Sequence, residues 1–127
     1  MRDPQKIAYK PYPCGFLLQP FLYCASRLKR NYRIDVDDIA EVWCRGPSGM
    51  VPLVFEPIED KVASRTPYEG KFSLPFTVAA MLAEGKVDLT TFSEEKIMDR
   101  KTLKLAEIVK YTTDPNIDYP KHMPRHP

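Results

Sequence analysis

The stretch from Lys71 to Lys86, KFSLPFTVAAMLAEGK, leaves the chain few choices of fold. Apolar residues recur at Phe72, Phe76, Ala79, Ala80, Leu82 and Ala83, and Val78 and Met81 widen the stripe. That spacing predicts a helix over 72–84 with more than half its circumference apolar, so it must be deeply buried. Ser73 suits the N-cap, because its hydroxyl can accept from a free first-turn amide. Pro75 is tolerated there, since first-turn amides lack helical partners anyway. Gly85 can take positive φ and stop the helix. The small side chains of Ala79, Ala80 and Ala83 allow a neighbour to approach closely.

With 127 residues the chain makes one domain at most, and it can bury a core with little to spare. Hydrophobic residues make up 43% and charged ones 28%, a globular balance that argues against disorder. The net charge is +2 with both signs interspersed, so there is no basic stripe for nucleic acid. No apolar run approaches the ~20 residues of a membrane span. Met1 to Lys10 has no apolar h-region, so no signal peptide is read and a cytoplasmic setting is expected. The cysteines are Cys14, Cys24 and Cys44, an odd number without CxxC spacing, which reads as reduced thiols. His122 and His126 stand at x3 spacing, but they lie in a proline-rich tail that opposes a helical zinc pair; no metal and no cofactor are expected.

Before the central stretch, Lys6 to Tyr12 alternates like a short strand with Ile7 and Tyr9 on one face. Pro11 and Pro13 end it and Cys14-Gly15 makes a turn. Phe16 to Lys29 carries a broad apolar helical face, with Pro20 in the first turn, so the regular helix is placed at 18–29. Asp35 to Asp38 is an acidic turn. Ile39 to Arg45 then alternates as a strand, with Ala40, Val42 and Cys44 opposite Ile39, Glu41, Trp43 and Arg45. Trp43 on that second face needs cover. Met50 to Phe55 is a short apolar run that fits helix or strand. Residues 56–70 read as a polar loop. Ser93 to Asp99 reads as a helical turn, and Asp99 caps a helix from Arg100 to about Ile108 with Leu103, Ala106 and Ile108 inward. A strand follows at 109–113, and residues 116–127 form an irregular tail. The expected fold is α+β: a small mixed sheet of strands near 6–12, 39–45 and 109–113, backed by helices at 18–29 and 72–84, within a domain of residues 1–115.

Two segments carry a family resemblance. Lys71-Phe72-Ser73-Leu74-Pro75-Phe76, continuing through Val78, Ala79 and Gly85, resembles (K/R)-F-S-L-P-Y-x-V-A-x-A-L-x-x-G. Lys10-Pro11-Tyr12-Pro13-Cys14-Gly15, then Gln19-Pro20, resembles K-P-Y-P-C-(C/G)-x-x-x-H-(P/A). Ser64-Arg65-Thr66-Pro67 and Val87 to Phe92 add weaker matches. Together these resemble the C-terminal half of the MmgE/PrpD family, which includes 2-methylcitrate dehydratase, cis-aconitate decarboxylase and iminodisuccinate epimerase. The resemblance spans roughly residues 5–120 and implies most of the smaller lid domain of a longer protein, without its large helical domain and without the strand that follows near Tyr119.

The implied chemistry is dehydration, decarboxylation or epimerisation of a small di- or tricarboxylate. It needs a base near a carbon-bound proton and groups that hold carboxylates. In the family the site lies between the two domains, and the lid supplies a histidine and a tyrosine. Those positions are Gln19 and Phe76 here. Glutamine cannot shuttle a proton near neutral pH, and phenylalanine has no hydroxyl. No catalytic residue is therefore assigned. Lys10 and Arg65 are the candidates for carboxylate contact, weighed against plain surface roles. Cys14 at a turn before a helix reads as a passive, partly buried thiol. With no histidine in the body of the chain and no glycine-rich loop, nucleophilic triads and phosphate cradles are set aside.

Two functions follow. One is the lid of such a lyase or isomerase, inactive alone and completed by a helical-domain chain, with self-association through exposed aromatics as a further expectation. The other is a standalone non-catalytic binding module derived from the same family.

Overall fold

The computed structural model describes residues 12–114. Lys10, the strand expected at 6–12 and the tail with its two histidines lie wholly or almost wholly outside these residues. After a turn, Phe16–Leu18 forms a short 3-10 element that runs into α1, Gln19–Tyr32. Pro20 sits in the first turn of α1, where its missing amide costs nothing. Lys29 and Arg30 lie in the last turn, at the negative end of the helix dipole. The helix continues past the expected end at residue 29 because nothing there breaks it. It stops at Arg33, which takes the left-handed conformation with φ 49°. Leu22 and Ala25 carry its buried side, and Leu18 of the preceding turn is buried with them.

The acidic turn is a 3-10 element, Val36–Asp38, with Asp35 accepting from the Asp37 amide at 3.0 Å. β1 is Val42–Gly46, later than the expected start at 39. Its inward side is the expected small set: Cys44 is buried, whereas Trp43 and Arg45 are exposed. The undecided apolar run resolves into a 3-10 turn, Ser48–Met50, and one wide π-helical turn, Val51–Phe55, that buries Val54.

Residues 56–70 are not the polar loop that composition suggested. They hold two short helices, α2 (Ile58–Val62) and α3 (Pro67–Gly70). Local caps support both helices: Glu59 and Asp60 occupy the first turn of α2, and Thr66 caps α3 by accepting from the Glu69 amide at 3.1 Å.

α4, Leu74–Glu84, is the hub. Ser73 caps it as expected, accepting from the Phe76 amide at 3.0 Å, and its hydroxyl donates to the Lys61 carbonyl of α2. Gly85 ends it with φ 76°. Phe72 is corrected from the buried stripe: it precedes the cap and is partly exposed. Every residue from Leu74 to Leu82 is buried, so the helix is covered around its circumference rather than on one face. Each fully buried Leu or Phe contributes about 1.5–3 kcal/mol of burial free energy, and Leu74, Phe76 and Met81 anchor the core with Leu18 and Leu22.

A 3-10 turn, Leu89–Phe92, follows, closed by a reciprocal Asp88–Thr91 capping box. α5 is Glu94–Ile97, capped by Ser93, and α6 is Arg100–Ala106, capped by Asp99 as expected. The inward face of α6 is Thr102, Leu105 and Ala106 rather than Leu103, Ala106 and Ile108. Positions 102, 105 and 106 share the i, i+3, i+4 stripe that meets α4, whereas Leu103 and Ile108 are only half-buried. β2 is Val109–Thr113.

β1 and β2 pair in parallel, from Val42 opposite Val109 to Gly46 opposite Thr113. Two further bonds extend the ladder, Val42 N–H to Ile108 O at 3.0 Å and Asp114 N–H to Gly46 O at 3.1 Å. The two described strands are parallel to each other, and the third strand expected at 6–12 lies outside the described residues. α4 packs between α1 and α6 and touches β2, giving an α+β arrangement. Tyr111, in the middle of β2, stands between Phe21 and Phe55 at centroid distances of 6.2 and 5.8 Å and donates to Pro47 O at 2.8 Å. Gly46 lies under that hydroxyl, where a Cβ would collide with it.

Candidate functional site

The fold brings the two motif segments together. Gly15 N–H donates to Lys71 O at 2.8 Å, which docks the turn at 12–15 against the entry to α4. A Cβ on Gly15 would come within 3.2 Å of the Phe72 ring, so glycine permits the approach. A cleft of about 280 Å³ lies at this seam, lined by Pro13, Cys14, Gly15, Lys71 and Phe72. Lys71 is its cation. Sequence reasoning did not single Lys71 out, although its place as the basic residue opening the second motif was the available signal.

Gln19 holds the turn from below. Its Nε2 donates to the carbonyls of Tyr12 at 3.1 Å, Cys14 at 3.2 Å and Gly15 at 3.1 Å. Its Oε1 accepts from the Tyr12 amide at 3.1 Å. The side-chain amide is therefore committed to its own backbone. Phe76 is fully buried, with its ring 6.0 Å from that of Phe92, and presents nothing to a ligand. Cys14 is buried more completely than the sequence reading held.

Arg65 lies on the other side of Phe72, near a second cleft of about 270 Å³ that includes Asp60, Lys61 and Glu69. Its guanidinium pairs with Asp60 at 3.3 Å, and its backbone N–H donates to Glu69 Oε1 at 3.0 Å. Arg65 is largely in solvent and Asp60 partly so, and such surface pairs contribute little.

A third and larger concavity is apolar. It holds about 650 Å³ between α1 and β1, and Arg45 is the one charged residue among the described residues that line it. Phe16 is 63% exposed and Trp43 57% exposed, and both line it. Trp43 does not gain the cover that the sequence reading required; its indole N–H donates to Glu41 at 2.6 Å. Cys44 sits in the wall, and burial, with Cys24 nearby, pushes its thiol up to about 12. It is held as a neutral thiol and is unsuited to nucleophilic work. Among the described residues no group of three or more His, Cys, Asp or Glu could hold a metal ion, and no helix is long and apolar enough to cross a membrane.

Fold and cleft together define a small α+β domain whose two motif segments meet at one seam and whose concavity between α1 and β1 is greasy rather than ionisable. The profile of the MmgE/PrpD C-terminal domain matches residues 12–126, and the chain belongs to that family. No curated protein matches it.

Proposed function

We propose that this chain is the cover of a site shared between two domains, in a lyase or isomerase of small di- or tricarboxylates. Family membership supports the class of chemistry: dehydration, decarboxylation or epimerisation. The observation that carries the reading is the state of Gln19 and Phe76. One is tied to its own backbone and the other is sealed in the core, so neither can move a proton. The acid, base and most carboxylate contacts then belong to a helical domain, on the same polypeptide or another. Lys10 and Arg65 are the proposed contacts to substrate carboxylates from this side, and Lys71 at the motif seam is a further candidate. The thiols of Cys24 and Cys44 suit a reducing, cytoplasmic setting.

The isolated chain, mixed with 2-methylcitrate or cis-aconitate, is expected to show no turnover above that of its Lys10→Ala variant. Turnover abolished by that substitution would overturn the reading. A second reading, a binding module without catalysis, is favoured by the same engagement of Gln19. Addition of a helical domain from a family enzyme separates them: restored turnover supports the shared site, and its absence supports the module.

A further inference from the structure

β1 carries a charge pattern that complements itself when reversed. Among the described residues, β2 is the one strand bonded to it, along one edge. Val42 donates to Ile108 O and Gly46 accepts from the Asp114 amide, so the even-numbered residues of β1 aim their backbone groups at β2. Alternate residues of a strand aim theirs the opposite way. Trp43 and Arg45, with Glu41 just before them, therefore present N–H and C=O groups to the other edge. Such a row of groups is a template for a further strand.

The side chains of the same three residues select which strand. They share one outward face: all three are exposed, whereas Cys44 and Gly46 are buried. The Trp43 indole donates to Glu41 at 2.6 Å along that face. Arg45 reaches Asp114 at 4.0 Å and keeps 72% of its side chain exposed. The order along the face is acid, indole, base. A second β1 laid antiparallel, with Trp43 at the two-fold axis, sets Glu41 opposite Arg45 of the second copy, and the reverse. Trp43 then meets Trp43, which gives the indole the cover it lacks. The axis passes through a residue whose backbone faces the edge, so each of these opposed pairs is a hydrogen-bonded pair. Registers centred on Glu41 or on Arg45 put like charges together at the axis, which is destabilising. One patch thus serves both copies, as an isologous contact requires.

We propose that β1 pairs antiparallel with β1 of a second copy about Trp43, joining two β1–β2 sheets into one. Sedimentation velocity and tryptophan emission of the full chain, over a roughly hundredfold range of concentration, test this. Trp43 is the chain's single tryptophan, so its emission reports on this contact. The chain is expected to pass from monomer to dimer as concentration rises, with the emission moving to the blue along the same curve. Glu41→Arg and Arg45→Glu are each expected to weaken the dimer about tenfold, by setting like charges opposite each other. The variant carrying both substitutions is expected to recover it, because opposite charges face each other again. A chain that stays monomeric across the range would overturn the proposal. So would dimerisation without the emission shift, or a double variant no better than the single ones, either of which would give the contact to another surface.

Discussion

Gln19 clasps Tyr12 by both faces of its backbone, accepting from its N–H at 3.1 Å and donating to its C=O at 3.1 Å. Two further carbonyls, of Cys14 and Gly15, share the same amide nitrogen. Gln19→Ala leaves these groups to find water or go unpaired, at a cost of about 1–3 kcal/mol. The urea midpoint is expected to fall by about 1 M. Gln19→His is expected to fall by less, because two ring nitrogens replace part of the set. An unchanged midpoint for Gln19→Ala would show that the clasp contributes nothing.

Phe76 and its neighbour Phe92 fix the second position that a proton-transfer group would need. A hydroxyl added by Phe76→Tyr enters a fully covered site and loses its hydration. The expected cost is about 1–3 kcal/mol, seen as a fall in Tm of about 4–15 °C. The Gln19→His, Phe76→Tyr double variant is expected to show no dehydration of 2-methylcitrate in isolation, and detectable product would contradict the shared-site reading.

Asp99 caps α6, accepting from the Thr102 amide at 3.0 Å and its hydroxyl at 2.9 Å. The Thr102 amide first, then the Thr102 hydroxyl and Lys96 and Lys101, hold its carboxyl below the ordinary value of 3.8. A carboxylate depressed in the folded state stabilises above its unfolded value, and that contribution is lost as pH falls through the folded one. Asp99→Ala is expected to cost about 1 kcal/mol near neutral pH. The gap to the parent should close as pH falls below the ordinary value, measured by denaturation from pH 7 downward.

Cys44 and Cys24 offer a chemical contrast along one wall. Cys24 is exposed, whereas Cys14 and Cys44 are buried. At pH 8 a maleimide is expected to label one thiol in the folded chain and all three in urea, with peptide mapping placing the single label on Cys24. Because the Cys44 thiol is raised from 9.0 to about 12 on folding, its contribution to stability is complete below pH 9 and is lost as pH rises toward 12. Denaturation at pH 8 and pH 10 should show a decline that Cys44→Ala lacks.

The sequence was most legible where one local signal met one apolar period. Ser73, Gly85 and the helically spaced apolar residues between them gave α4 its ends and its depth. Asp99 likewise marked the start of α6. It was least legible where short elements depend on partners far along the chain. Nothing local in residues 56–70 shows that Ser73 will donate to Lys61 and pin α2 against α4. The inward face of α6 was misjudged by one stripe, since Leu103 and Leu105 are equally apolar and only the position of α4 chooses between them. At the candidate site, Gln19 and Phe76 were found by motif position. Their engagement with the backbone and the core was not, because it depends on how the 12–15 turn folds back. Lys71 was missed because a single basic residue before an apolar helix has no pattern of its own.

The pairing of Val42 with Val109 has a consequence for how the chain assembles. The partners stand sixty-seven positions apart, so this ladder cannot nucleate on its own. Closing so long a loop is entropically costly until the intervening helices have condensed around their hub. The sheet is then expected to form after the helices have packed around α4.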